Sequence, residues 1–150
     1  MAEVLKVVVD TNIIFGAVRG VRPNVEIIER IEDGTLNLFV SERIIQEVVR
    51  TSGRKDLDSG PFDPIQIARI KNILSMGFLV LNTSGYAVVG RLLPEDMGDS
   101  KFIITALLAR AKLVSDDHHI TDPVLVRNLS SEGVQVFSAY QFYIQYLATN

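Results

Sequence analysis

Apolar residues along this chain follow two rhythms: short, nearly continuous runs rich in branched side chains, and longer stretches with apolar positions three or four apart. Val4 to Val9 is of the first kind and predicts a central strand buried on both faces. Pro23 can open a helix reaching about Asp33, where Gly34 stops it, with Val25, Ile27, Ile28 and Ile31 along its apolar side. Leu36 to Val40 predicts a second strand. Ser41 then stands as N-cap of a helix carrying Ile44, Ile45, Val48 and Val49.

Thr51 to Asp63 is rich in Gly, Ser, Asp and basic residues and reads as a loop. Pro64 starts another helix that ends near Gly77, and Phe78 to Leu81 reads as a strand. Between Asn82 and Gly98 the pattern gives a short helix around Ala87 to Leu92 and then a loop. Asp99 to Lys112 carries Ile103, Ala106, Leu107 and Ala111 at helical spacing, and Leu113 to Ser115 predicts a strand. Asp122-Pro123 begins a short helix, Val134 to Phe137 predicts the last strand, and Ser138 to Gln141 has capping-box spacing ahead of a terminal helix. Strands alternating with helices predict a three-layer α/β/α sandwich around a mainly parallel central sheet. With no internal repeat, low-complexity tract or linker, residues 1–150 read as a single domain.

Composition narrows the class. The 150 residues are 47% hydrophobic, which excludes a disordered chain. No apolar run reaches the roughly 18 residues of a membrane helix. The start Met-Ala-Glu-Val-Leu-Lys lacks the pattern of a signal peptide. No cysteine is present, so disulfides and thiolate metal sites are excluded, and a soluble cytoplasmic protein is expected. The net charge of −3 is unusual for a nucleic-acid partner. Setting four carboxylates aside for a metal leaves the remainder at +1, so the distribution of charge outweighs its sum.

The distribution of acids carries the chemistry. Ligands of open parallel sheets bind at the carboxyl ends of the strands. Asp10 follows the first strand directly, and Asp116 and Asp117 follow the Leu113 to Ser115 strand. Asp99 heads the helix that feeds that strand, and Glu47 lies about one turn into the helix after the second. These acids can converge at one edge. Clustered carboxylates stay ionised only beside a cation. Mg²⁺ or Mn²⁺ suits oxygen ligands, neutralises phosphate charge and activates water, so the reaction class implied is phosphodiester hydrolysis.

The segments Val7-Val-Val-Asp10-Thr-Asn12, Ser41-Glu-Arg-Ile-Ile-Gln-Glu47-Val, Asp99-Ser-Lys-Phe-Ile-Ile-Thr-Ala106-Leu and Leu113-Val-Ser-Asp-Asp117, in this order, resemble the PIN-domain family. The resemblance implies a PIN-like sandwich and a Mg²⁺- or Mn²⁺-dependent endoribonuclease, of a kind that often serves as the toxin of a toxin–antitoxin pair. It implies Asp10, Glu47, Asp99 and Asp117 as the catalytic acids, with Asp10, Asp99, Asp117 and Asp116 available to metal. Asn12 and Ser115 would orient the first and last of these acids. RNA would be the substrate, an antitoxin protein a partner, and a homodimer or higher homo-oligomer the assembly. This sequence departs from the family at His119, where a second acid after the last strand is usual, and it offers Asp96 as a competitor to Asp99.

Each residue also has a plainer reading. Asp10-Thr-Asn12 and Asp116-Asp117 suit turns, Glu47 borders the apolar stripe of its helix and suits a solvated position, and Asp96 with Asp99 has the spacing of a cap. His118 and His119 would point apart in extended chain, which disfavours joint metal ligation. Arg19, Arg22, Arg50, Arg54 and Lys55 suit a solvated face and are also the candidates for phosphate contacts. Tyr140, Phe142, Tyr143 and Tyr146 suit terminal-helix packing or a dimer surface. Two rival functions are a non-catalytic PIN module that binds RNA or protein, and a phosphatase of the haloacid-dehalogenase kind. The latter wants an Asp at position 12, where this chain has Asn12.

Overall fold

A computed structural model describes residues 3–81 and 100–148. The apolar run near the start forms β1 (Leu5–Val9), in which Val7, Val8 and Val9 are all buried. Burial of consecutive residues means that both faces are covered, as in the middle of a parallel sheet. The chain continues through α1 (Thr11–Val18), α2 (Asn24–Glu32), β2 (Leu36–Ser41), α3 (Glu42–Ser52), α4 (Pro64–Ser75) and β3 (Phe78–Val80). It resumes with α5 (Ser100–Ala109), β4 (Lys112–Val114), α6 (Pro123–Ser131), β5 (Val136–Phe137) and α7 (Ala139–Phe142), which runs on as a wider turn over Tyr143–Leu147. All five strands are parallel, in the order β3-β2-β1-β4-β5. Helices flank the sheet in the α/β/α manner that the alternation predicts.

Local signals set most boundaries. Ser41 accepts a hydrogen bond from Ile44 N at 3.3 Å and caps α3 as expected. Asp63 and Gln66 close a capping box ahead of Pro64, and Ser138 and Gln141 close another at α7. Asp122 caps α6. The helix expected over Asp99 to Lys112 stops sooner, at Ala109. Arg110 turns left-handed with φ 54°, and Ala111 N donates back to Ala106 O at 3.0 Å, so the chain leaves the helix early enough for Lys112 to enter the sheet. The short helix expected around Ala87 to Leu92 lies outside the described residues.

One element departs from the sequence pattern altogether. Residues 11–18 form a helix, where the sequence pattern gave no element and Asp10-Thr-Asn12 suited a turn. Its segment Thr-Asn-Ile-Ile-Phe-Gly-Ala-Val buries Ile13, Ile14, Phe15 and Ala17. A helix covered on so many sides shows no polar stripe, and its periodicity is invisible. The aromatic set near the end divides: Phe142 is buried against Phe137 and Tyr146, while Tyr140 is exposed. Among the described residues no helix is long and apolar enough to cross a membrane.

Helix α1 is seated through close contact with α2. Buried Asn24 donates to Ile13 O at 3.3 Å, and a Cβ added at Gly16 would lie 2.5 Å from Asn24 Nδ2. Gly16→Val should therefore destabilise the protein by about 1–3 kcal/mol through overpacking, read by denaturant unfolding. In open space the same change would recover part of the roughly 1 kcal/mol that glycine costs a helix, so a stabilised variant would show that α1 and α2 are not in close contact.

Candidate active site

The sheet register brings the first two candidates together. Val9 pairs with Val114, so the next residue of each strand, Asp10 and Ser115, leaves the sheet side by side. Asp10 N donates to Val114 O at 3.2 Å, and Ser115 N to Phe137 O at 2.9 Å. The chain goes to β2 on one side of β1 and to β4 on the other. Asp10 and Ser115 thus stand at the point where strand order reverses, the usual place for a ligand crevice.

Asp10 is 4% exposed, and donors hold its two oxygens. Oδ1 accepts from Ile13 N at 3.1 Å, which makes Asp10 the N-cap of α1 at the positive end of the helix dipole. Oδ2 accepts from Ser115 Oγ. Ser115 Oγ in turn accepts from Asp117 N at 3.0 Å, so one buried hydroxyl links both acids. Asp117 Oδ1 accepts from His119 N at 2.8 Å and lies 3.1 Å from His119 Nδ1. Both carboxylates accept hydrogen bonds that fix their orientation, and carboxylate oxygen is the ligand type that a hard cation takes.

Glu47 joins this edge through its neighbours. It is half-buried in α3; Oε2 accepts from Thr11 Oγ1 at 3.1 Å, and Oε1 pairs with Lys101 Nζ at 2.8 Å. Thr11 follows Asp10 directly, so Glu47 is tied to the first acid's own turn. Thr11 and Lys101 were missed as site residues. A signal for Lys101 existed: it falls in the first turn of α5, where the helix dipole disfavours a cation unless an anion is near. Asp96 and Asp99 lie outside the described residues.

Asp116 is separated from the other acids. It is exposed, and its Oδ1 accepts from Ala139 N at 2.9 Å at the start of α7. The two neighbours differ in what they meet: the Asp117 carboxylate takes His119 N, whereas that of Asp116 takes the backbone at the start of α7. The expectation that His118 and His119 point apart is overturned. Residues 118–120 form a turn, closed by Ile120 N and Thr121 N on Asp117 O, and the imidazole rings lie 4.3 Å apart. One ligand atom each from Asp117, His118 and His119 fall within 4.8 Å of one another.

The candidate phosphate-binding residues are also distributed. Arg19 is turned inward: its guanidinium donates to Ser59 O at 3.1 Å and to Gly60 O, and lies 4.0 Å from the centre of the Phe62 ring. It fastens the loop after α3 onto α1. Between them a cleft of about 310 Å³ opens, lined by Asn12, Phe15, Arg19, Leu57 and Asp58 among others. Asn12 faces this cleft. Arg22 pairs with Glu26 at 2.8 Å, and Arg54 pairs with Asp56 at 2.8 Å. The Arg54 guanidinium holds the Asp56 carboxyl below its usual range. Arg50 and Lys55 are exposed.

The PIN domain family model matches residues 6–119, a span that takes in Asp10, Glu47, Asp99 and Asp117. No curated protein matches the chain in sequence.

Two outcomes test this geometry. Ser115→Ala removes the hydroxyl shared by Asp10 and Asp117 N and should cost about 1–3 kcal/mol in denaturant unfolding at neutral pH; an unchanged midpoint would count against the bridge. Arg19→Ala should raise amide exchange across residues 57–62 by releasing the loop, whereas exchange identical to the parent protein would show that the arginine does not fasten it.

Proposed function

The chain belongs to the PIN domain family, whose members are generally metal-dependent nucleases, and from that premise we propose that it is a Mg²⁺- or Mn²⁺-dependent endoribonuclease. The observation that carries the proposal is the placing of Asp10 and Asp117 at the switch point of a parallel sheet, where Ser115 Oγ donates to the Asp10 carboxylate and accepts from the backbone N of Asp117. A protein that gathers anions at a ligand crevice without a cation works against its own stability. The donor set fits the group, being carboxylate oxygen on a rigid frame.

Asp10 and Asp117 would hold the ion, with Asp99 as the third acid. A divalent cation bound there supplies charge neutralisation at phosphate and activation of water. The protein's own residues do the positioning. Ile13 N and Ser115 Oγ fix the rotamer of Asp10, His119 N fixes Asp117, and Thr11 with Lys101 fixes Glu47 at the margin. Such prearrangement is what keeps an electrostatic site from having to reorganise during reaction. The cleft beside Asn12 would take a nucleotide next to the scissile phosphate, with Arg50 and Lys55 on the backbone.

The same reading makes RNA the substrate and the protein the toxin of a toxin–antitoxin pair, acting in the cytoplasm as a homodimer and restrained by an antitoxin protein. Its support is the family's character. Asp10→Asn and Asp117→Asn should each lower Mn²⁺-dependent cleavage of a fluorescent RNA at least about a hundredfold, as loss of a positioned electrostatic group does. Mn²⁺ at a hundred times its Kd should stabilise the parent by about 2.7 kcal/mol, seen as a rise in Tm absent from Asp10→Asn. Cleavage that survives either substitution, or that persists in EDTA, would refute the proposal.

A further inference from the structure

Glu47 and Lys101 form the one ion pair among the described residues that joins α3 to α5 beside the acidic site. Its members are 27% and 15% exposed, which sets it apart from the open pairs Arg22–Glu26 and Arg54–Asp56. Both oxygens of Glu47 are engaged, one by Thr11 Oγ1 and one by Lys101 Nζ. The threonine is fixed by its place in the first turn of α1, and the lysine by its place in the first turn of α5. A lysine there opposes the helix dipole, and the cost is offset by the carboxylate it meets.

We propose that Lys101 is the built-in cation of this site: its ammonium takes the position beside Glu47 that a second divalent ion would otherwise occupy, so each chain holds one exchangeable divalent ion. The proposal rests on the reading of the acidic site as a metal site. An ion seated on Glu47 would have to displace the ammonium or lie against it, and like charges a few ångströms apart in a partly buried site repel strongly. Two-metal phosphodiesterases use their second ion as fixed positive charge near the phosphate. An ammonium group carries that charge as a compact point, and here it is held against Glu47. Lys101 is then a positioning residue toward Glu47.

The test counts Mn²⁺ ions bound per full-length chain by calorimetry, with electron paramagnetic resonance to detect spin coupling between neighbouring ions. The parent should bind one ion. Lys101→Met and Lys101→Gln should each bind one more, with a coupled signal, and Lys101→Arg should behave as the parent because it keeps the charge. The added ion should vanish when Glu47→Gln is combined with Lys101→Met. Circular dichroism shows that each variant is folded, and the glutamine variant retains a donor to Glu47 if the methionine variant does not fold. A parent that already holds two coupled ions, neutral variants that gain none, or a gained ion that persists without Glu47 overturns the proposal. Failure of the nuclease reading would look different, as Mn²⁺ binding unaffected by Asp10→Asn together with no cleavage of RNA.

Discussion

The pairing of Val9 with Val114 fixes where everything else at the site can be, because it decides which residue stands beside Asp10 when both chains leave the sheet. With the strands parallel and in this register, that residue is Ser115, and its hydroxyl reaches a carboxylate 105 positions away in sequence. A register slip of one residue would put Ser115 out of line with Asp10 and reverse the faces of β4. The buried valines on both faces of β1 oppose such a slip, since a shifted strand would carry its neighbours' side chains out of the core. Hydrophobic packing thus sets the geometry of a polar site that it does not itself touch.

From that fixed pair the rest of the site is added by short-range devices. Asp10 does two jobs with two oxygens: one caps α1, and the other meets Ser115. The cap aims the helix, and the helix carries Thr11 to Glu47 and Arg19 to the loop around Ser59 and Gly60. The turn after Asp117 works similarly, with backbone donors from Ile120 and Thr121 on its carbonyl and His119 N on its carboxylate. Each acid is oriented by hydrogen bonds that would be lost if the backbone moved by an ångström or so.

Charge at the site is organised in layers. Carboxylates supported by donors form the inner part, and Lys101 supplies a fixed positive charge at the Glu47 side. The more exposed arginines balance neighbouring acids, Arg22 with Glu26 and Arg54 with Asp56, and their contribution to stability is small in water. The overall charge of −3 therefore says little about what faces a nucleic acid. What faces outward near the cleft depends on which basic groups the fold has already engaged.

The sequence by itself determined the strands and helices whose signals are local. Val7 to Val9 announce a buried strand, Ser41, Pro64, Asp122 and Ser138 announce helix starts, and Asp10 and Asp117 fall just past strand ends, where an α/β sheet binds ligands. Those signals depend on a few neighbours along the chain, so they survive without tertiary information. Helix α1 was not legible because a helix buried on most sides has no amphipathic rhythm to read. Asp116 and Asp117 were indistinguishable as adjacent acids until the fold set one against the start of α7 and the other against His119 N, and the two histidines were misread because a turn replaced extended chain. Arg19, which as a letter in the sequence suits phosphate, was committed to Phe62 and two loop carbonyls. Tertiary structure alone decided these matters, together with the union of Thr11, Glu47 and Lys101. Each is a contact between groups brought together by sheet register and helix packing, and no local preference encodes such a meeting.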